Sequence, residues 1–88
     1  MDTTMDRLAA RVLVVDDEPL LREFLTEALG SDGHDVRAAA GAEDGLAAAR
    51  EITPDVILLD IRMKGRDGLS LLPELRTLCP EAPVLMMT

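Results

Sequence analysis

Three apolar runs of strand length stand out along the chain, and each of them ends in or beside polar side chains. They cover residues 12–15, 56–59 and 84–87. Apolar runs without alternation are typical of strands that a parallel sheet buries on both faces. A weaker strand candidate lies between the first two runs. We therefore predict four strands, at residues 11–15, 34–38, 55–59 and 84–87.

Three stretches with helical character separate these strands, and we place them at residues 19–30, 42–51 and 68–78. Pro19 suits the first turn of a helix, and Gly30 suits its end. Asp67 is the expected N-cap of the third helix, in which Pro73 removes one backbone hydrogen bond and should cause a bend. The predicted apolar faces consist of Leu20, Leu21, Phe24, Leu25, Ala28 and Leu29 on the first helix and Leu69, Leu72, Leu75 and Leu78 on the third.

This alternation of strands and helices indicates an α/β domain with a parallel sheet and helices on both of its faces. Residues 1–10 are polar and lack periodicity, so we expect a flexible N-terminal segment. The remaining residues, 11–88, form one small domain whose core gives only a narrow margin of stability. The chain has 88 residues, 48% of them hydrophobic, which argues against disorder.

Composition narrows the range of partners and compartments. The formal net charge of −8 argues against direct binding of nucleic acid or of an anionic membrane. Phe24 is the only aromatic residue, so stacking platforms for bases are missing as well. Cys79 is the only cysteine, which is typical of a reducing compartment. Without a membrane span or a secretory signal in the sequence, we expect a cytoplasmic protein.

Polar side chains follow three of the predicted strands. Asp16 and Asp17 come after the first, Asp60 after the third, and Thr88 after the fourth. In open α/β sheets the ligand site lies beyond the carboxyl ends of the strands, so these residues should converge. Three carboxylates repel one another unless a cation lies among them, and oxygen ligands of this kind suit Mg²⁺. The sequence therefore predicts an acidic Mg²⁺ pocket with a hydroxyl beside it.

These residues, in this order, resemble the receiver domain of two-component response regulators. The resemblance rests on the pair Asp16-Asp17, on Asp60, on Gly65 with Asp67-Gly68, and on Thr88, and it covers residues 12–88. It implies a flavodoxin-like, doubly wound sheet of strand order 2-1-3-4, without the fifth strand and last helices usual in the family.

The resemblance also implies a function in phosphorelay signalling. Asp60 would accept a phosphoryl group from a sensor histidine kinase, and Thr88 would be the switch hydroxyl. Asp16, Asp17, Asp60 and the backbone carbonyl of Arg62 would hold Mg²⁺. The phosphorylated domain would act on an output domain or downstream effector. Because most members of the family regulate transcription, we expect that output here. Such a domain is a switch and not an enzyme.

The chain departs from the family in two places. It has Met63-Lys64-Gly65 where the family commonly has Met-Pro-Gly, which loosens the turn and adds a cation near the site. It also stops at Thr88, so no residue matches the family's fifth-strand lysine. We therefore expect a fragment of a longer protein, with a naturally short receiver as the alternative. The fourth strand would then be an exposed apolar edge through which the chain could self-associate.

Other interpretations of the same residues stay open at this point. A non-switching interaction module could bind a kinase or a receiver partner without productive phosphorylation. A phosphohydrolase would need an acid/base residue at the position of Arg62, so we rank it lower. Asp16 and Asp17 could simply favour a helix dipole, Asp60 could cap a loop, and Thr88 could be an accident of the chain end. For His34 and Cys79 we expect structural roles, and for Lys64 and Arg66 solvated charge, with steering of a phosphodonor as the alternative.

Overall fold

Strands and helices alternate along the whole of the described chain. A computed structural model describes residues 9–87. Its strands are β1 (Arg11–Val15), β2 (Asp35–Ala39), β3 (Val56–Asp60) and β4 (Val84–Met87), and its helices are α1 (Pro19–Ser31), α2 (Ala42–Ile52) and α3 (Gly68–Leu78). The predicted elements are confirmed, with every boundary within one residue of its predicted position. Most of the predicted flexible N-terminal segment lies outside the described residues, and so does Thr88.

The four strands form one parallel sheet. Its order is β2-β1-β3-β4, as predicted. The pairing is in register along the centre, where Val14 lies opposite Ala38 on one side and Leu58 on the other. The carboxyl ends of β1 and β3 therefore lie side by side, and the residues that follow them come together at one edge of the sheet.

The hydrophobic core lies between the sheet and the helices α2 and α3. Leu13 and Val15 of β1 contribute to it, as do Ile57 and Leu59 of β3. Alternation of side chains directs Val14 to the opposite face, where α1 packs against β1 and β2. β1 is therefore buried on both faces, with residues 12–15 each at most 2% exposed.

The prediction that the other two apolar runs are buried on both faces is wrong. Burial alternates along β3, where Val56 and Leu58 are only half-buried. In β4, Leu85 is 54% exposed. The reason is the position of α1, which covers β1 and β2 and leaves the same face of β3 and β4 without a helix among the described residues.

The predicted apolar face of α3 is correct for Leu75 and wrong for Leu69 and Leu78. The residues that α3 buries are Gly68, Leu71 and Leu75, whereas Leu69 is 58% exposed. A spacing of four places Leu71 and Leu75 on one stripe, and this stripe faces the sheet. The predicted N-cap is correct, since the Asp67 carboxylate accepts a hydrogen bond of 2.8 Å from the Ser70 backbone N–H.

Helix α1 packs loosely among the described residues. None of its residues is fully buried. Two members of its predicted apolar face, Leu20 and Phe24, are 76% and 64% exposed. The face therefore divides into a half-buried stripe against the sheet, which includes Leu21 and Leu25, and an exposed stripe. Within residues 9–87 none of the helices has the length and apolarity of a membrane span.

His34 and Cys79 have the structural surroundings that the sequence suggested. The Nδ1 atom of His34 accepts a hydrogen bond of 3.0 Å from the Ala10 backbone N–H, which ties the entrance of β1 to that of β2. Cys79 is buried at the end of α3. Burial raises the pKa of its thiol, so the side chain acts as a small apolar residue of the core.

Candidate metal centre

Three carboxylates meet at the carboxyl ends of β1 and β3. Asp16 and Asp17 directly follow β1, and Asp60 is the last residue of β3. One carboxylate oxygen from each lies within 4.8 Å of the other two. The structure thus brings together the three acidic residues that we predicted to converge, and we call them the acidic cluster. Another predicted site residue, Thr88, lies outside the described residues.

Asp16 is the most enclosed member of the acidic cluster, at 1% exposed. Its Oδ1 atom accepts a hydrogen bond of 2.8 Å from the Glu18 backbone N–H. Its Oδ2 atom is buried and has no hydrogen-bond partner among the described residues. Desolvation by burial raises the pKa of Asp16, and the nearby carboxylates of Asp60 and Asp17 raise it further, against the opposing effect of the Glu18 hydrogen bond.

Such an orphaned oxygen calls for a ligand. Buried polar atoms without a partner are rare in native proteins because they carry the full cost of desolvation. A divalent cation would coordinate Asp16 Oδ2 and would also reduce the repulsion among the three carboxylates. Hard carboxylate oxygens with room for water are the donor set that Mg²⁺ prefers, so the acidic cluster fits this ion.

Backbone N–H groups of the loop between β3 and α3 hold the other two carboxylates. The Lys64 N–H donates to Asp17 Oδ2 at 2.8 Å, and the Arg62 N–H donates to Asp60 Oδ1 at 3.0 Å. These hydrogen bonds fix the loop over the acidic cluster. The role that we expect for the Arg62 carbonyl, as a metal ligand, remains a prediction.

A close approach of α3 to β3 completes the frame of the site. The Gly68 N–H donates to the Ile61 carbonyl at 2.9 Å. A Cβ atom at Gly68 would overlap the Asp60 carbonyl oxygen and would lie 3.0 Å from Ile61 Cα. Only glycine therefore allows the N-terminus of α3 to lie this close to Asp60.

Two arginines support the site in ways that the sequence did not reveal. Arg22 of α1 donates from Nη1 to the Asp16 backbone carbonyl at 2.9 Å. Arg66, which we had expected to be solvated, forms ion pairs with Glu74 of α3 and, at 3.7 Å, with Glu43 of α2. The ion pair between Arg66 and Glu43 joins elements that are distant in the chain, and no local motif signals the contacts of either arginine.

An open cleft of about 410 Å³ lies over the exposed side of the acidic cluster. We call it the acidic cleft, and it is lined by Asp17, Glu18, Pro19, Asp60, Arg62 and Lys64. Asp60 is half-buried and reaches the cleft, whereas Asp16 lies behind it. A molecule that enters from solvent therefore meets Asp60 and not Asp16.

The fold is that of a signalling domain of two-component systems. The chain matches the response regulator receiver domain over residues 12–88 and belongs to that family. Receiver domains are signalling modules of two-component systems, and their flavodoxin-like fold is the one found here.

Relatives of this chain include transcriptional regulators. It is 43% identical over 77 residues to the probable transcriptional regulatory protein TcrX of Mycobacterium tuberculosis, covering 88% of this chain and 33% of that protein. It is 38% identical over 84 residues to the DNA-binding response regulator MtrA of Mycolicibacterium smegmatis, covering 96% and 36%. The chain thus spans about a third of the length of these relatives.

Solved structures of receiver domains superimpose closely on this one. NtrX of Brucella abortus gives a TM-score of 0.85 at 42% identity, covering 90% of this chain and 18% of that protein. The chemotaxis protein CheY4 of Vibrio cholerae gives 0.84 at 31% identity, covering 89% and 67%. The response regulator TrrA of Thermotoga maritima, solved in complex with Mg²⁺-BeF, gives 0.79 at 37% identity, covering 86% and 66%.

Proposed function

We propose that this receiver domain accepts a phosphoryl group on Asp60 from a sensor histidine kinase in the presence of Mg²⁺. The observation that supports this most directly is the buried Oδ2 atom of Asp16, which lacks a partner among the described residues beside two further carboxylates. That arrangement suits a cation-dependent site and is costly without the cation.

The acidic cluster would hold Mg²⁺ through Asp16, Asp17 and Asp60, together with the Arg62 backbone carbonyl. The bound ion would neutralise charge on the phosphoryl oxygens during transfer. The protein's own contribution is to fix the carboxylates, through the backbone N–H groups of Glu18, Arg62 and Lys64. This prior arrangement lowers the cost of ordering the site during the reaction.

Of the carboxylates that line the acidic cleft, Asp60 lies at the end of β3 and matches the acceptor position of the receiver family, so we assign the attack to it. One of its oxygens forms a bond to phosphorus as the bond between phosphorus and the donor's imidazole nitrogen breaks. The electron pair of that bond stays on the imidazole nitrogen. The product is an acyl phosphate, which suits a signal that must be reversible.

The consequences of phosphorylation belong to the same proposal. Thr88 would donate its hydroxyl to the phosphoryl group and so bias the domain toward its active state. An output domain or downstream effector would detect that state. Because TcrX is a probable transcriptional regulatory protein and MtrA is a DNA-binding response regulator, transcription is the proposed output, and the cytoplasm is the proposed location.

The test is intact-mass spectrometry of the protein after incubation with a small acyl phosphate and Mg²⁺. We expect one phosphoryl adduct on the wild-type chain and on Asp32→Asn, which removes an exposed carboxylate outside the acidic cluster. We expect none on Asp60→Asn, and none when Mg²⁺ is removed by a chelator. An adduct on Asp60→Asn, or none on folded wild-type protein, would contradict the proposal.

A second candidate function is a non-switching interaction module, which the exposed side chains Leu20 and Phe24 on α1 favour. Exposed apolar side chains of this size often mark a docking surface. This function predicts binding of a kinase or a receiver partner without any phosphoryl adduct. The absence of an adduct, combined with retained binding that Phe24→Ala abolishes, would support it over the first.

A further inference from the structure

The only lysine of the chain lies at the edge of the acidic cleft. Lys64 lines this cleft together with Asp60. From this arrangement we propose that the Lys64 ammonium group binds the phosphoryl oxygens of the incoming donor and sets the affinity of the site for it. This inference rests on the proposed function, since it names the residue that recognises the charge of the substrate.

Backbone hydrogen bonds on both sides of Lys64 fix its position. Its N–H donates to Asp17 Oδ2 at 2.8 Å. Its carbonyl accepts from the Arg66 N–H at 3.0 Å. The base of the side chain is therefore held against the acidic cluster, and the flexible four-carbon stem can direct the ammonium group to an anion bound at Asp60.

The charge of Lys64 is available for such an anion. Among residues 9–87, the ion pairs involve Arg37 and Arg66, and Lys64 forms none. The loop between β3 and α3 carries three cations, Arg62, Lys64 and Arg66, and the first two line the acidic cleft. Arg66 is paired with Glu43 and Glu74 on the other side of the loop, whereas Lys64 lies at the cleft.

The acidic cleft needs a cation of this kind because the donor is itself an anion. A phosphoryl group that approaches Asp60 is repelled by Asp17 and Glu18, which also line the cleft. Mg²⁺ held by the acidic cluster would offset part of this repulsion, and an ammonium group at the edge would offset more of it. Lys64 contributes charge and hydrogen bonds and forms no covalent bond.

The experiment is isothermal titration calorimetry of beryllofluoride, a tetrahedral anion with the shape of a phosphoryl group, at saturating Mg²⁺. The variants are Lys64→Met, Lys64→Gln and Lys64→Arg. The matched control is Arg76→Met, which removes one positive charge from an exposed position on α3 away from the cleft. Circular dichroism checks that each variant is folded.

We expect Lys64→Met and Lys64→Gln to weaken beryllofluoride binding about fivefold at low salt, the effect of one partly screened charge contact. Lys64→Arg should restore binding, and Arg76→Met should leave it unchanged. The difference in beryllofluoride affinity between wild type and Lys64→Met should shrink as salt is added, because salt screens a charge contact. A difference caused by a change in the conformation of the loop would not depend on salt in this way.

Two results would overturn the inference, and they differ from a failure of the proposed function. If Lys64→Met and Lys64→Gln bind as tightly as the wild type, the ammonium group does not contact the anion. If Lys64→Arg binds as weakly as Lys64→Met, the loop and not the charge is responsible. If folded wild-type protein with Mg²⁺ does not bind beryllofluoride at all, the proposed phosphoacceptor site itself is wrong.

Discussion

At the scale of single residues, the site depends on a carboxylate that is poorly solvated without a cation. Asp16 is buried, accepts one hydrogen bond from the Glu18 N–H, and lies beside Asp17 and Asp60. Its raised pKa shows that the fold disfavours the charged form. The residue that we propose to hold Mg²⁺ should therefore destabilise the protein when no cation is bound.

This conflict predicts how stability depends on pH when no divalent ion is present. The folded-state pKa of Asp16 lies above its ordinary value of 3.8. At pH values below that ordinary pKa, the Asp16 carboxyl is protonated in both the folded and the unfolded chain, so it does not change the free energy of unfolding. As pH rises through the interval up to the folded-state pKa, the unfolded chain loses its proton first, so the free energy of unfolding decreases.

Asp16→Asn should remove this loss of stability. In a chelator, the variant should exceed the wild type in free energy of unfolding at neutral pH and should equal it in acid. Urea denaturation followed by circular dichroism measures the difference. Adding Mg²⁺ should stabilise the wild type and have less effect on the variant. A variant that is less stable than the wild type in chelator at neutral pH would contradict this account of Asp16.

At the scale of elements, the sequence predicted the order and type of every strand and helix in residues 9–87, but not which face each one buries. The runs in β1, β3 and β4 are equally apolar, yet only β1 is covered on both sides, because coverage depends on where α1 lies. In α3, leucines at 69, 71, 72, 75 and 78 allow more than one apolar stripe. The contact of Gly68 with Asp60 selects the stripe of Leu71.

The orientation of α3 can be tested with two leucine substitutions. Leu71 is completely buried and Leu69 is 58% exposed. Leu71→Ala should lower the free energy of unfolding by about 2–5 kcal/mol, because it leaves a cavity in the core. Leu69→Ala should lower it by less than about 1 kcal/mol, as is usual for surface positions. Equal losses in chemical denaturation would mean that the helix is rotated from the position described here.

The candidate site was predictable to a similar degree. The sequence identifies the three carboxylates, Asp16, Asp17 and Asp60, because the ends of neighbouring parallel strands meet and because these residues match a family pattern. It does not identify the contacts of Arg22 and Arg66, since these depend on how α1, α2 and α3 are placed around the sheet. The role of Thr88 stays a prediction.

At the scale of the whole molecule, one face of the sheet is covered by two helices and the other only in part. α2 and α3 enclose the core, whereas α1 shares its face with Leu85 on β4. β4 is also the edge of the sheet among the described residues. An apolar surface beside an unpaired strand edge favours association between chains.

Self-association of the chain through this surface is therefore expected as its concentration rises, and sedimentation velocity measures it. Leu85→Lys should shift the protein toward monomer, because it places a charge on the uncovered face. Leu69→Lys is the matched control, since Leu69 is similarly exposed but lies on α3. Wild-type protein that stays monomeric at all concentrations, or equal effects of the two substitutions, would contradict the expectation.

The central claim is that Asp60, rather than another carboxylate of the acidic cluster, receives the phosphoryl group, and chemical trapping tests it most directly. Borohydride reduces an acyl phosphate of aspartate to homoserine, and peptide sequencing by mass spectrometry then locates the change. After treatment with an acyl phosphate and Mg²⁺, we predict homoserine at position 60 alone. Homoserine at position 16 or 17, or at no position in folded protein, would contradict the account.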